Sequence, residues 1–203
     1  MVAIAQARVK IVGTRPLLFH HFGEDAIPLE RGERTGVAGN DPEEWRRTVL
    51  ALADGTLYLE PTYAFGCLRN GAKYTKKGRG SIQSQVAATL QVMDDIIPLD
   101  RKLPEGNPPR DRNAPVYLDV RYVKNPSNRS GNVRYRVAAS PGWKCSFGIM
   151  WDTTIVSRGA MQAVVVDSGR FVGVGDGRAI GFGRFSVEAF AAEETEDAAA
   201  TAE

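Results

Sequence analysis

Histidine and cysteine are scarce in this 203-residue chain, with two of each. Cys67 and Cys145 stand alone, with no Cys-x-x-Cys pair, which removes ribbon- and finger-type zinc sites and dithiol redox motifs. A single disulfide stays open, and a reduced, cytosolic setting is the simpler reading. His20 and His21 are adjacent, and no third ligand is marked for them, so neither a metal nor a cofactor is expected. The chain lacks an apolar run near the ~20 residues that a membrane span needs. Its first residues, Met1 to Gly13, show no charged start followed by an apolar stretch. These absences predict a soluble, cytoplasmic protein.

Net charge is also small, only +2, but it is unevenly spread. Residues 191–203 carry Glu193, Glu194, Glu196, Asp197 and Glu203 without a basic residue, the composition of a disordered acidic tail. Setting those five acids aside leaves 26 basic against 19 acidic residues, a charge of +7 over residues 1–190. A hydrophobic fraction of 43% supports one sizeable core. The expectation is one basic domain, 1–190, with insertions at about 23–55 and 100–142.

Glycine is plentiful. Gly173-Val-Gly175-Asp-Gly177-Arg178-Ala-Ile-Gly181-Phe-Gly183-Arg184 lies between a helix-like run, 159–172, and a strand-like run, 185–190. Glycine tolerates positive φ and close backbone approach. Successive N–H groups in such a loop can cup an anion, and Arg178 and Arg184 add charge. The same glycines also suit a tight helix-to-strand connection. The order is the reverse of the strand–glycines–helix dinucleotide fingerprint, and no Gly-Lys-Ser/Thr closes a Walker loop.

Periodicity places the elements. Ala7, Val9 and Ile11 alternate with polar neighbours in a first strand, 3–13. Residues 23–40 form a long loop with Arg31 and Arg34. Asp41-Pro42-Glu43-Glu44 opens a helix to about Ala53. A short strand, 56–59, precedes a helix from Pro61 to about Tyr74, whose Gly66 permits close packing and whose Arg69 and Lys73 share a face. Lys73-Tyr74-Thr75-Lys76-Lys77-Gly78-Arg79 is the densest basic patch: cations for phosphates, with a tyrosine to stack on a base. A solvated surface loop has the same composition. Residues 81–88 suit a helical turn, 90–93 a strand and 103–114 a proline-rich linker. Asp94-Asp95 reads as a solvated turn rather than a metal site.

Residues 116–123 and 132–138 alternate as a hairpin around the turn cluster 124–131. It carries Arg121, Lys124, Arg129, Arg134 and Arg136, with Tyr122 and Tyr135 between them, on a projecting ribbon able to grip a single strand. An ordinary edge hairpin is the alternative. A central strand, 143–151, then leads into a helix, 158–171.

The doubled Gly-apolar-Gly with its five-residue spacer resembles the glycine-rich loop of the RAMP superfamily, ferredoxin-like RNA-binding proteins of CRISPR systems. Leu59-Glu60-Pro61 through Gly66-Cys67-Leu68-Arg69 and Ala72 resembles the strand-to-helix segment of backbone subunits in CRISPR effector complexes. The chain is also similar to short RAMP-like proteins carried by phages and prophages. The resemblance covers about a fifth of the sequence. It implies an α+β, ferredoxin-like (RRM-like) fold: an antiparallel sheet with helices on one face, a long inserted loop and a protruding basic hairpin.

It further implies non-catalytic binding of RNA (guide RNA) or single-stranded DNA along the phosphate backbone. The chain would act as a repeated subunit in a homo-oligomer with other effector subunits. The residues named for this are Arg69, Lys73, Tyr74, Lys76, Lys77, Arg79, Arg121, Lys124, Arg129, Arg134 and Arg136, together with Gly175, Gly177, Arg178, Gly181 and Arg184. Some RAMP relatives are metal-independent endoribonucleases with a histidine base, which makes His20 or His21 the alternative catalytic residue. Spacing fixes no tyrosine or lysine partner for them. A structural or interaction protein without nucleic-acid affinity is the third reading.

Overall fold

The computed structural model describes residues 3–22, 41–124 and 131–195. β1 (Ile4–Gly13) follows its sequence alternation: Ala5, Ala7, Val9 and Ile11 are buried, and Arg8 and Lys10 are exposed. The chain turns at residues 14–16 into β2 (Leu17–Leu18).

The expected helix over 41–53 is only α1 (Glu44–Thr48). Asp41 acts as a turn, its Oδ1 accepting from the Glu43 N–H at 2.9 Å. From Val49 the chain is extended, and it pairs back on β3 (Thr56–Leu59), with the Leu52 N–H donating to the Thr56 carbonyl at 2.9 Å. That pairing buries Leu50 and Leu57, and burial outweighs a helix propensity of tenths of a kcal/mol per residue.

α2 (Pro61–Gly71) begins on its proline as expected. β4 (Lys76–Lys77) and β5 (Gly80–Ser81) fold the basic run into a small hairpin around Gly78. α3 (Gln83–Thr89), β6 (Gln91–Val92) and β7 (Ile97–Lys102) follow. β7 has no sequence counterpart because Pro98 interrupts it. In the fold Pro98 is exposed while Ile97 and Leu99 are buried on the other face.

β8 (Val116–Lys124) and β9 (Gly131–Ala139) form the expected hairpin, with Asp119 opposite Arg136 and Arg121 opposite Arg134. β10 (Lys144–Asp152), α4 (Arg158–Phe171) and β11 (Phe185–Thr195) complete the order. β11 runs five residues into the segment expected to be tail, because Ala191–Thr195 pair with Arg8–Ile4 of β1. Residues 196–203, the 23–40 loop with Arg31 and Arg34, and Arg129 lie outside the described residues.

Among the described residues the main sheet runs β11-β1-β10-β7-β3, with β6 also on β10, and the second sheet runs β2-β9-β8. The antiparallel sheet, with α2 and α4 as its helices, gives the strand–helix–strand, strand–helix–strand plan of an α+β ferredoxin-like fold. Small residues meet large ones across β1 and β10: Ala5 opposes Trp151 and Ala7 opposes Ile149.

The helices cover that face, α2 through Ala64, Cys67 and Leu68, α4 through Met161, Val164 and Val165. They cross at Gly71 and Ser168, where a Cβ on Gly71 would sit 2.7 Å from the Ser168 Cα. Gly66, the glycine expected to permit close packing, has nothing within 4 Å of a Cβ. The Gly71 crossing sets the C-terminal ends of both helices side by side.

Candidate nucleic-acid interface

The site grows from that crossing. α4 ends at Phe171, and the Gly173 N–H donates back to the Ser168 carbonyl at 2.9 Å. All five glycines of the loop that follows are left-handed, φ +67° to +91°. The loop folds on itself and on β2. The Val174 N–H donates to the Gly183 carbonyl (3.0 Å), the Gly183 N–H to the Pro16 carbonyl (2.8 Å) and the Asp176 N–H to the Leu18 carbonyl (2.9 Å).

A Cβ on Gly183 would lie 1.8 Å from the Val174 carbonyl oxygen, and one on Gly175 would lie 2.7 Å from the Leu18 carbonyl. These glycines are therefore required by packing and backbone shape. The expectation that successive loop N–H groups cup an anion is narrowed to residues 177–179. Those of residues 173, 174, 176 and 180–183 already bond protein carbonyls. Charge at this loop comes from side chains.

A groove of about 490 Å³ is lined by Arg178 and Arg184, by Asn70 in the last turn of α2, by Lys73 and Tyr74 just beyond it, and by Phe171. Two separate sequence candidates, the glycine-rich loop and the start of the basic run, thus meet in one place. Arg184 also borders a neighbouring cleft of about 710 Å³ with Arg15 and Arg170. Arg15 in turn borders a third, of about 340 Å³, with Arg112 and Arg121. Among the described residues none of Arg15, Lys73, Arg112, Arg170, Arg178 and Arg184 has a carboxylate within 4.0 Å. The Nη1 of Arg184 is buried without an acceptor among the described residues. Asp176 is the acid in the groove, and Arg136 holds it at 2.6 Å.

Other expected site residues fall elsewhere. Lys76 is exposed on a separate cleft beside Ser157 and Ala160. Lys77 is placed by its backbone in β4. Arg69 and Arg79 are exposed and line none of these clefts.

The hairpin is not a free ribbon at its base. Asp119 is fully buried; Arg121 grips it with two hydrogen bonds, 2.9 and 3.0 Å, and Arg136 lies 3.7 Å away. That hydrogen bonding raises the Arg121 pKa further. Arg134 pairs with buried Glu44 of α1, whose other oxygen accepts from the Tyr135 N–H at 3.1 Å. Arg134 and Arg136 are therefore structural cations, because a buried carboxylate must be paired. Arg121 keeps one face in the third cleft, its guanidinium 4.8 Å from the Phe182 ring. Tyr122 and Lys124 remain exposed toward the tip.

His21 gains the partners that spacing did not reveal. Its Nδ1 is 3.4 Å from the Tyr63 hydroxyl, and its Nε2 is 3.6 Å from Glu60 Oε1, both contributed by the start of α2. Burial, with Glu60 and Asp176 nearby, raises the Tyr63 pKa. His20 is half-buried, its Nδ1 has no partner among the described residues, and burial lowers its pKa.

Both cysteines are free and buried, and burial pushes each thiol up to about 12. Asp94 bonds Arg8 at 2.9 Å, and Asp100 bonds Arg101 at 2.8 Å. Among the described residues no three His, Cys, Asp or Glu side chains cluster to hold a metal, and no helix is long and apolar enough to cross a membrane.

Sequence reasoning missed Arg15, Phe171 and Tyr63. The Thr14 and Arg15 N–H groups donate to the Arg184 carbonyl at 2.8 and 3.2 Å. A ferredoxin-like plan pairs the first and last strands, so the end of β1 meets the start of β11, and that was the available signal for Arg15.

No protein-family model matches the chain, and no curated protein matches it. Among solved structures it superposes on a chain of the cryo-EM structure of the Type III-B Cmr-beta bound to cognate target RNA, with a TM-score of 0.51 and 10% identity. The alignment covers 94% of this chain and 61% of that one, so this chain spans about three-fifths of its neighbour's length. At that identity the likeness is one of architecture: the chain shares an α+β, ferredoxin-type fold with it.

Proposed function

We propose that this protein binds RNA along its phosphate backbone without cleaving it, as a repeated subunit of a ribonucleoprotein assembly. The observation that carries this reading is the groove in which Lys73, Arg178 and Arg184 converge with no carboxylate paired to them. Like charges gathered in one groove repel, and a phosphate removes that repulsion. The neighbouring clefts extend the basic surface through Arg15, Arg170 and Arg112, the arrangement a strand rather than a single anion calls for. The fold shared with a chain of an RNA-bound structure supports RNA over DNA.

The test is fluorescence anisotropy of a single-stranded RNA against salt, for wild type and for Lys73→Gln/Arg178→Gln/Arg184→Gln. Each lost phosphate contact removes about 0.7 from the slope of log K against log salt, so the triple variant should lose about 2. An unchanged slope would remove the groove from the reading.

One observation favours a second reading, the metal-independent endoribonuclease: the Glu60–His21–Tyr63 arrangement, an imidazole between a carboxylate and a phenol. Intact substrate after prolonged incubation at neutral pH, with binding retained, excludes it. Cleavage abolished by His21→Asn establishes it.

A further inference from the structure

Beside the groove cations lie two aromatic rings that packing does not need. Tyr74 is 50% exposed and Phe171 is 47% exposed, and their centroids are 4.9 Å apart with planes tilted by 42°. Phe171 ends α4, one turn past Ser168 in line with the buried stripe of Met161, Val164, Val165 and Ser168, yet it is exposed on this last turn before the glycine-rich loop. Tyr74 stands three residues past the end of α2, with its N–H on the Gly71 carbonyl at 2.9 Å. The Gly71–Ser168 crossing is what brings the two rings together. An exposed aromatic pair forgoes burial of its apolar surface, and here it does so in the groove that Arg178 and Arg184 also line.

We infer that this groove takes one unpaired nucleotide: its base stacks on the Tyr74–Phe171 pair while its phosphate meets Lys73, Arg178 and Arg184. The site therefore selects single strands over duplex. This rests on the nucleic-acid reading above. The volume of about 490 Å³ falls among sites for small ligands, roughly 300–1,000 Å³. Stacking needs the flat face of a base. A duplex hides those faces and offers only edges and backbone, whereas a single strand splays its bases onto aromatic side chains. Every base has such a face, so the pair confers strand selectivity without sequence readout. The cations alone bind both forms.

The probes are three 5′-fluorescein-labelled RNAs of equal length in anisotropy titrations: a single strand, the same strand with abasic positions, and a duplex. Wild type should bind the base-bearing strand about tenfold or more tighter than the abasic one. Tyr74→Ala/Phe171→Ala should abolish that difference, through weaker binding of the base-bearing strand. Tyr74→Phe, which keeps the ring, should retain it and separates loss of stacking from loss of fold. Equal wild-type affinity for base-bearing and abasic strands overturns the inference, as does an equal loss on both strands in the double alanine variant. If abasic strands bind with a steep salt dependence in either case, the phosphate-binding reading stands alone. If no strand binds at low salt, both fall.

Discussion

Replacing the buried Gly183 with alanine should damage this protein more than the loss of two hydrogens suggests. The residue sits at φ +67°, which costs an alanine about 1–2 kcal/mol. Its new Cβ would lie 1.8 Å from the Val174 carbonyl oxygen, a backbone atom with no rotamer to yield. Relief means separating the two sides of the glycine-rich loop. That strains the Val174-to-Gly183 and Gly183-to-Pro16 hydrogen bonds, each worth about 0.5–1.5 kcal/mol net.

The total is about 2–5 kcal/mol, or roughly 4–20 °C in melting temperature for a chain of this size. Thermal unfolding followed by circular dichroism reads it. Gly66→Ala is the control: helical, with open space at the Cβ position, it should be stabilising by about 0.5–1 kcal/mol. If Gly183→Ala melts with the wild type, the loop is not packed as described and the site built on it fails.

Arg136→Gln should cost about 2–4 kcal/mol, because it leaves fully buried Asp119 to Arg121 alone and frees Asp176, and denaturant unfolding measures this. A near-neutral result would mean that the hairpin is not anchored through that ion pair. The folded pKa of His20 lies below its ordinary 6.5, so the unfolded chain binds the extra proton first as pH falls. Its stabilising contribution is complete above about pH 6.5 and is lost as pH falls from there through the folded value. Melting temperatures at pH 7.5 and 5.5 should therefore converge in His20→Asn, and an unaltered gap refutes the assignment. With both thiols pushed up to about 12, neither Cys67 nor Cys145 should react with a disulfide reagent at pH 8 until the chain is unfolded. Stoichiometric reaction of the native protein contradicts their burial.

Elements governed by short-range pattern were readable from sequence. The alternation in β1 and β10, the β8–β9 hairpin and the glycine-rich loop all lie where their residues put them. Contacts between distant segments set the rest. α1 stops at Thr48 because residues 50–52 find β3, and β7 forms despite Pro98 because Ile97 and Leu99 complete a core layer. Charge alone does not say whether a cation is committed. Arg134 and Arg136 look like ribbon arginines until Glu44 and Asp176, 90 and 40 residues away, take them. The groove was legible as two halves, Lys73–Tyr74 and the glycine-rich loop. What joins them is the Gly71–Ser168 crossing, a contact that neither local periodicity nor composition reveals.

Purification without nuclease, followed by the 260/280 nm absorbance ratio and light scattering before and after nuclease, tests RNA binding by a repeated subunit most directly. The account predicts a high ratio and a large particle that RNase, but not DNase, reduces to protein monomers. A clean protein ratio and a monomer that ignores added single-stranded RNA at low salt would contradict it.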